Sequence, residues 1–275
     1  PGHNRRPQDG SGIIVLRTMR VEAAAEFRWA VRLALSLAVA PLVAASPPFR
    51  IEADSRLTVE HGGQARFAVQ QLQTYISRML PRGPAWAVRE GAETGDSCWI
   101  RLGKGTAAGR PGGIPFNPDV DEYTITADPS SVTLAASNPA TLLGSVYALL
   151  EEAGCRWLYP GTEGEVVPRR GVIEIAGGRR GSRAAFGMRG LFPVENLQRY
   201  TERDVRDTLD WMSSNRMNHL VVLYNYGWRR LGRVVAEESR KRGIRLVGYL
   251  WSFELFLPLE LGRQHPEYFA WIDGR

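Results

Sequence analysis

Five side chains in the last third of this 275-residue sequence combine useful chemistry with similar positions. Arg189, Phe192, Tyr224, Asn225 and Glu254 lie within or just past segments that read as β-strands. A guanidinium is a rigid fork that can donate to two adjacent oxygens or grip a carboxylate bidentately. The other reading of Arg189 is a structural ion pair. An aromatic ring at a strand end can stack on the flat apolar face of a ligand, and an Asn beside it can hydrogen-bond polar groups. Core packing is the alternative for Phe192 and Tyr224. Glu254 follows the third of these strands, at the end where parallel α/β structures place their chemistry. It is a candidate catalytic carboxylate, with a salt-bridged loop residue as the alternative, and no catalytic acid is assigned from it.

Metal and cofactor chemistry have weaker support. Cys98 and Cys155 are the only cysteines, and His3, His61, His219 and His265 stand at no ligand spacing, so no metal site is expected. The two cysteines read as buried free thiols. No Gly-x-Gly-x-x-Gly joins a strand to a helix, and Gly103-Lys104-Gly105 lacks the rest of a phosphate loop, so no nucleotide cofactor is expected.

The elements that must position these residues form two patterns. Phe49–Glu52 reads as a strand, and Gly62-Gly63 opens a helix carrying Phe67, Val69, Leu72, Ile76 and Met79. Strands follow at Trp86–Val88, Cys98–Leu102, Glu122–Thr126 and Val132–Ala135, the last two joined by the turn Asp128-Pro129-Ser130. Asn138 and Pro139 start a helix that Gly154 stops. Residues 49–176 are therefore expected to form an α+β domain. From Met188 the order is strand, helix, strand, helix, strand, the rhythm of a parallel α/β structure, either doubly wound or barrel. The Gly- and Arg-rich stretch Gly177–Gly181 reads as the hinge between the two. Trp157 and Tyr159 read as seals between the domains, and Asn218 and His219 as structural.

Composition narrows the partners. The charge is +6, from 35 basic and 29 acidic residues. Only Lys104 and Lys241 are lysines, and the arginines are spread along the chain, so no nucleic-acid stripe is expected. A hydrophobic fraction of 44% excludes wholesale disorder. Residues 1–18 read as an unstructured or miscalled leader, with Met19 a plausible start. Residues 19–45 carry Leu33–Ala40, Pro41 and then Val43-Ala44-Ala45, a signal-peptide pattern. It predicts a secreted or periplasmic protein without stable membrane insertion after processing. Oligomeric state is not legible.

Three runs carry a resemblance. Glu122–Ile125 with Val132–Asn138 and Gly144–Glu151 resembles the N-terminal domain of family 67 α-glucuronidases, a layout shared by the second domain of β-hexosaminidases. Gly154–Gly161 resembles the turn after that helix in a group of bacterial relatives of uncharacterised activity. Arg189-Gly190 and His265–Ala270 resemble the opening of the barrel in that group. The resemblance implies an α/β fold in which residues 186–275 are the first three βα units of a truncated (β/α)8 barrel. It implies a secreted glycoside hydrolase acting on polysaccharide-derived glycosides, with paired carboxylates on later barrel strands, past Arg275. Residues 1–275 alone are then expected to be inactive. A non-catalytic carbohydrate-binding or surface protein on the same scaffold is the alternative. In β-hexosaminidases an Arg in a similar Arg-Gly pair donates to sugar hydroxyls, which implies that role for Arg189. Relatives tend to show Gly-His-Ser/Thr-Phe-Glu after the third strand; here Gly248 is followed by Tyr249-Leu250-Trp251-Ser252-Phe253-Glu254, without the His.

Overall fold

The computed structural model describes residues 46–90, 98–104, 114–192, 197, 199–223, 226–249 and 263–268. The signal pattern at 19–45 lies outside them. Residues 46–275 form one contact unit, described in the order in which the chain builds it.

Strand β1 (Phe49–Glu52) pairs antiparallel with β9 (Val172–Ile175), the strand that returns late in the chain. Strand β2 (Arg56–His61) was not expected, although Leu57, Val59 and His61 alternate inward along it. Helix α1 (Arg66–Met79) then presents Val69, Leu72, Ile76 and Met79 to the core, and Gly83, at φ +60, completes the turn into β3 (Ala85–Glu90). β2 and β3 are parallel, and a parallel pair needs a crossover of this length. Strands β4 (Cys98–Gly103), β5 (Glu122–Ala127) and β6 (Ser131–Ala136) add antiparallel neighbours. The turn between β5 and β6 is tied by Asp128, whose carboxylate accepts from the Ser130 and Ser131 amides at 2.7 and 2.9 Å.

Helix α2 (Pro139–Glu152) starts where expected: the Asn138 side chain accepts from the Thr141 amide at 2.9 Å, and Pro139 occupies the first turn. It is buried on every side, from Leu142 and Leu143 through Leu150. A helix apolar all round belongs between two layers. One side of α2 packs on β4, β5 and β6; another meets the helices of the second layer. Gly154, at φ +105, ends its last turn before two short strands, β7 (Arg156–Trp157) and β8 (Glu165–Val166).

The stretch expected to be a hinge is instead strand β10 (Gly178–Arg183), an edge of the six-stranded sheet β10-β5-β6-β4-β2-β3. The correction has a plain cause. Edge pairing with β5 is made by backbone groups and needs no apolar side chain, so arginines that suggested solvent also suit a solvated edge. Arg180 closes the strand onto α2 through an ion pair with Glu152.

Beyond it, β11 (Gly190–Leu191), β12 (His219–Leu223) and β13 (Arg245–Tyr249) form a parallel sheet in sequential order. Gly190 is required where β11 meets β12, because a Cβ there would lie 1.9 Å from the His219 carbonyl oxygen. Helix α3 (Glu202–Ser214) begins with a capping box between Thr201 and Asp204 and links β11 to β12. Helix α4 (Tyr226–Arg242) links β12 to β13. Leu220 and Val222 of β12 face the core made by Val205, Leu209 and Met212 of α3 and Leu231, Val234 and Val235 of α4. Each such side chain, once buried, stabilises the layer by about 1.5–3 kcal/mol.

Candidate functional site

The N-terminal ends of the parallel strands are taken up by a polar joint. The chain enters β11 through Arg189, whose amide donates to Asn218 Oδ1 at 2.9 Å, while the Arg189 carbonyl accepts from the Asn218 amide at 2.7 Å. The Arg189 guanidinium donates to Asp121 at 2.6 Å, to the Arg216 carbonyl at 3.0 Å and to the Phe186 carbonyl at 2.5 Å. These contacts are those of a structural ion pair. Asn218 Nδ2 donates to the other Asp121 lone pair at 2.8 Å, and Asn138 and Thr141 donate to Asp121 Oδ1 at 3.0 and 2.8 Å. Asp121 thus joins the start of α2 to the starts of β11 and β12. Burial raises its pKa, but the hydrogen bonds from Asn138, Arg189 and Thr141 outweigh burial and hold the carboxyl below its ordinary value. Arg245, at the start of β13, donates to the Pro118 carbonyl and pairs with Asp119 at 3.5 Å. His219 is pushed below its ordinary pKa by burial and by the Arg245 and Arg189 charges, so it is neutral near pH 7. Asn218 and His219 therefore sit in the structural joint.

The joint was not legible in the sequence, because Asp121 and Arg189 are 68 positions apart. Helix α2 admits the second layer through its small residues. Gly243, at φ +69, lies over Ala140, and the Arg216 side chain passes beside Gly144 and pairs with Glu151. Between the layers lies a cavity of about 290 Å³, lined by Tyr123, Thr141 and Ser182 on one side and by Arg189, Arg216 and Asn218 on the other.

The opposite ends of the strands present a different surface. Phe192 follows β11 and Tyr249 ends β13, and their rings meet edge to face with centroids 5.2 Å apart. The register His219↔Arg245, Val221↔Val247 puts Tyr249 on the face away from α3 and α4. Phe192 is 43% exposed and Tyr249 40%, so an apolar platform at the C-terminal ends is open to solvent. Tyr249 was not singled out in the sequence, although alternation along β13 marks its face. Tyr224, Asn225 and Glu254 lie outside the described residues.

Other expectations divide. Trp157 is buried against Tyr75 and Tyr147, donates to the Tyr75 hydroxyl at 2.8 Å, and offers its carbonyl to Asn215 of the second layer at 3.2 Å. Tyr159, expected as a second seal, is 51% exposed and donates to the Glu163 carbonyl at 2.9 Å. The turn Gly161–Gly164 holds it outward, because Leu158 and Gly164 are tied backbone to backbone at 2.8 Å. Cys98 and Cys155 are both buried, and the Cys155 thiol lies 3.6 Å from the Met79 sulfur. Among the described residues no cluster of three His, Cys, Asp or Glu could hold a metal ion, and no helix is long and apolar enough to cross a membrane.

No family model matches the chain, and no curated protein matches it. Among solved structures it is similar to the family 20 β-N-acetylhexosaminidase of Streptomyces coelicolor A3(2), at 16% identity and a TM-score of 0.49, covering 74% of this chain and 43% of that one. It is also similar to a Streptomyces plicatus β-hexosaminidase bound to its product GlcNAc, at 16% identity and a TM-score of 0.49, covering 74% and 42%. A Clostridium perfringens family 89 protein in complex with GlcNAc-alpha-1,4-galactose is more distant, at 12% identity and a TM-score of 0.39, covering 56% and 23%. These neighbours are glycoside hydrolases. The chain spans about two fifths of the length of the first two. Likeness of this degree identifies no family.

Proposed function

We propose that residues 46–275 belong to a glycoside hydrolase, α-glucuronidase-like or hexosaminidase-like, in which the α+β layer braces the base of a (β/α) barrel. Sugar then binds at the C-terminal ends of the parallel strands. One observation carries the reading: Phe192 and Tyr249 form an exposed aromatic pair there, while the joint occupies the other end. Sequential strand order with both crossover helices on one face fits a barrel-type winding, as it fits one half of a doubly wound sheet. The platform suits the apolar face of a pyranose.

The second reading is a carbohydrate-binding protein on the same scaffold, without hydrolysis. The exposed Phe192–Tyr249 pair suits it as well, because stacking on a pyranose needs no carboxylate.

Saturation-transfer NMR with N-acetylchitobiose and with glucuronate-bearing xylo-oligosaccharides tests the site. Phe192→Ala and Tyr249→Ala should each weaken binding by about two- to tenfold, the worth of one aromatic contact. No saturable binding, or binding untouched by both substitutions, refutes the proposal. Aryl glucuronides and aryl N-acetylhexosaminides, assayed on a version that also carries the later barrel strands, then separate the readings: turnover favours the hydrolase, and binding without turnover favours the binder.

A further inference from the structure

Strand β10 is an edge of the six-stranded sheet, and among the described residues no strand pairs with its outer side. Which of its backbone groups face outward follows from the pairing with β5. The Ala184 amide donates to the Asp121 carbonyl at 2.9 Å, and bonding toward the partner alternates along an antiparallel ladder. Gly178, Arg180 and Ser182 therefore bond to β5, while Arg179, Gly181 and Arg183 turn their amides and carbonyls away from it. An open row of this kind is a template for another strand.

The same three residues share the outer face of the sheet, because Arg180 reaches the other way to Glu152 on α2 and Ser182 lines the cavity between the layers. Arg179 and Arg183 are exposed, and neither side chain has an ion pair or hydrogen bond among the described residues. Gly181 puts no side chain between them, and a Cβ there would lie 2.4 Å from the Tyr123 carbonyl oxygen. Outward backbone groups and unengaged guanidiniums thus coincide at alternate positions of one strand.

This coincidence discriminates between occupants. A second copy of β10 paired antiparallel about Gly181 would set Arg179 of each copy against Arg183 of the other, and like charges directly opposite are destabilising. Phosphodiester groups would satisfy the guanidiniums but bring no donor to the outward carbonyls. An acidic peptide satisfies both. We propose that the outer edge of β10 takes up an extended acidic peptide segment as an added antiparallel strand, with carboxylates opposite Arg179 and Arg183. The two acids then stand four positions apart on the partner, on one face of its strand. The site is separate from the Phe192–Tyr249 platform, and either reading can fail without the other.

The probe is a short, end-blocked peptide of alternating threonine and valine that carries two glutamates four positions apart, titrated into the full chain by fluorescence anisotropy at physiological salt. It should bind saturably. Amide exchange followed by NMR should slow at Arg179, Gly181 and Arg183 and stay unchanged at Arg180 and Ser182, which already bond to β5. Arg179→Gln and Arg183→Gln, both at exposed positions, should each weaken binding by about two- to fivefold, the worth of one cross-strand charge pair. A peptide of the same charge with its glutamates three positions apart places them on opposite faces and should bind more weakly. The same probe N-methylated at the amides facing β10 keeps its charge, loses its donors and should not bind. The proposal is overturned if the probe does not bind, if the respaced or N-methylated peptide binds as well, or if both arginine variants bind as the wild type does. It is overturned also if oligodeoxythymidylate of equal charge binds more tightly, which would make the edge a polyanion site.

Discussion

Replacing Asp121 with Asn tests whether the joint holds the two layers together. The change preserves shape and can keep Oδ1 accepting from Asn138 and Thr141. It places an NH2 group where Oδ2 accepts from Arg189 at 2.6 Å and from Asn218 at 2.8 Å. Two donors then face a donor. A hydrogen bond to a charged group contributes about 1.5–3 kcal/mol, and leaving a fully buried charge unpaired costs about 3–5 kcal/mol. The Arg189 side chain is 26% exposed and keeps two carbonyl acceptors, so water offsets part of the loss. A destabilisation of about 2–4 kcal/mol follows. Urea denaturation followed by tryptophan fluorescence and far-UV circular dichroism measures it, with Arg189→Met and the double variant completing a cycle. The coupling should be about 1–3 kcal/mol. The pH dependence has a definite sign. The folded-state pKa of Asp121 is depressed, so its contribution is present above the ordinary carboxyl range, near pH 4, and is lost as the pH falls through the folded value. Asp121→Asn should flatten that acid limb. A loss below about 0.5 kcal/mol, or additive single variants, would refute the argument.

Two further substitutions probe the same architecture. Gly243→Ala should cost about 1–3 kcal/mol, because the residue has φ +69 and its new Cβ would lie 2.6 Å from Ala140 Cβ. Ala140→Gly should restore part of that loss in thermal denaturation, and no restoration would place the cost in backbone strain alone. Tyr75→Phe removes a hydroxyl that donates to Glu165 at 2.5 Å and accepts from Trp157 at 2.8 Å. Because the indole N–H is then left buried and unpaired, the variant should lose about 1–3 kcal/mol in urea denaturation, and a neutral result would mean that water enters there.

Most of the secondary structure could be read locally. The period of Val69, Leu72, Ile76 and Met79, the Asn138-Pro139 cap and the Thr201–Asp204 capping box depend on neighbours a few positions away, and such signals survive in a single sequence. Helix α2 is buried on every side, and the layers that cover it were decided by the fold. The sequence also marked Phe192 as lying at a strand end, although it could not say whether the ring would be buried or open. Tertiary structure decided the rest. Gly178–Arg183 became a strand because β5 offered a free edge, and edge pairing leaves little trace in side-chain pattern. The role of Arg189 depended on Asp121, and that of Arg216 on Glu151, partners 68 and 65 positions away. Local sequence carries no information about pairs that meet only when separate layers dock. The Phe192–Tyr249 platform arose the same way: parallel register across β12 brings together two aromatics that have no local relation in the chain.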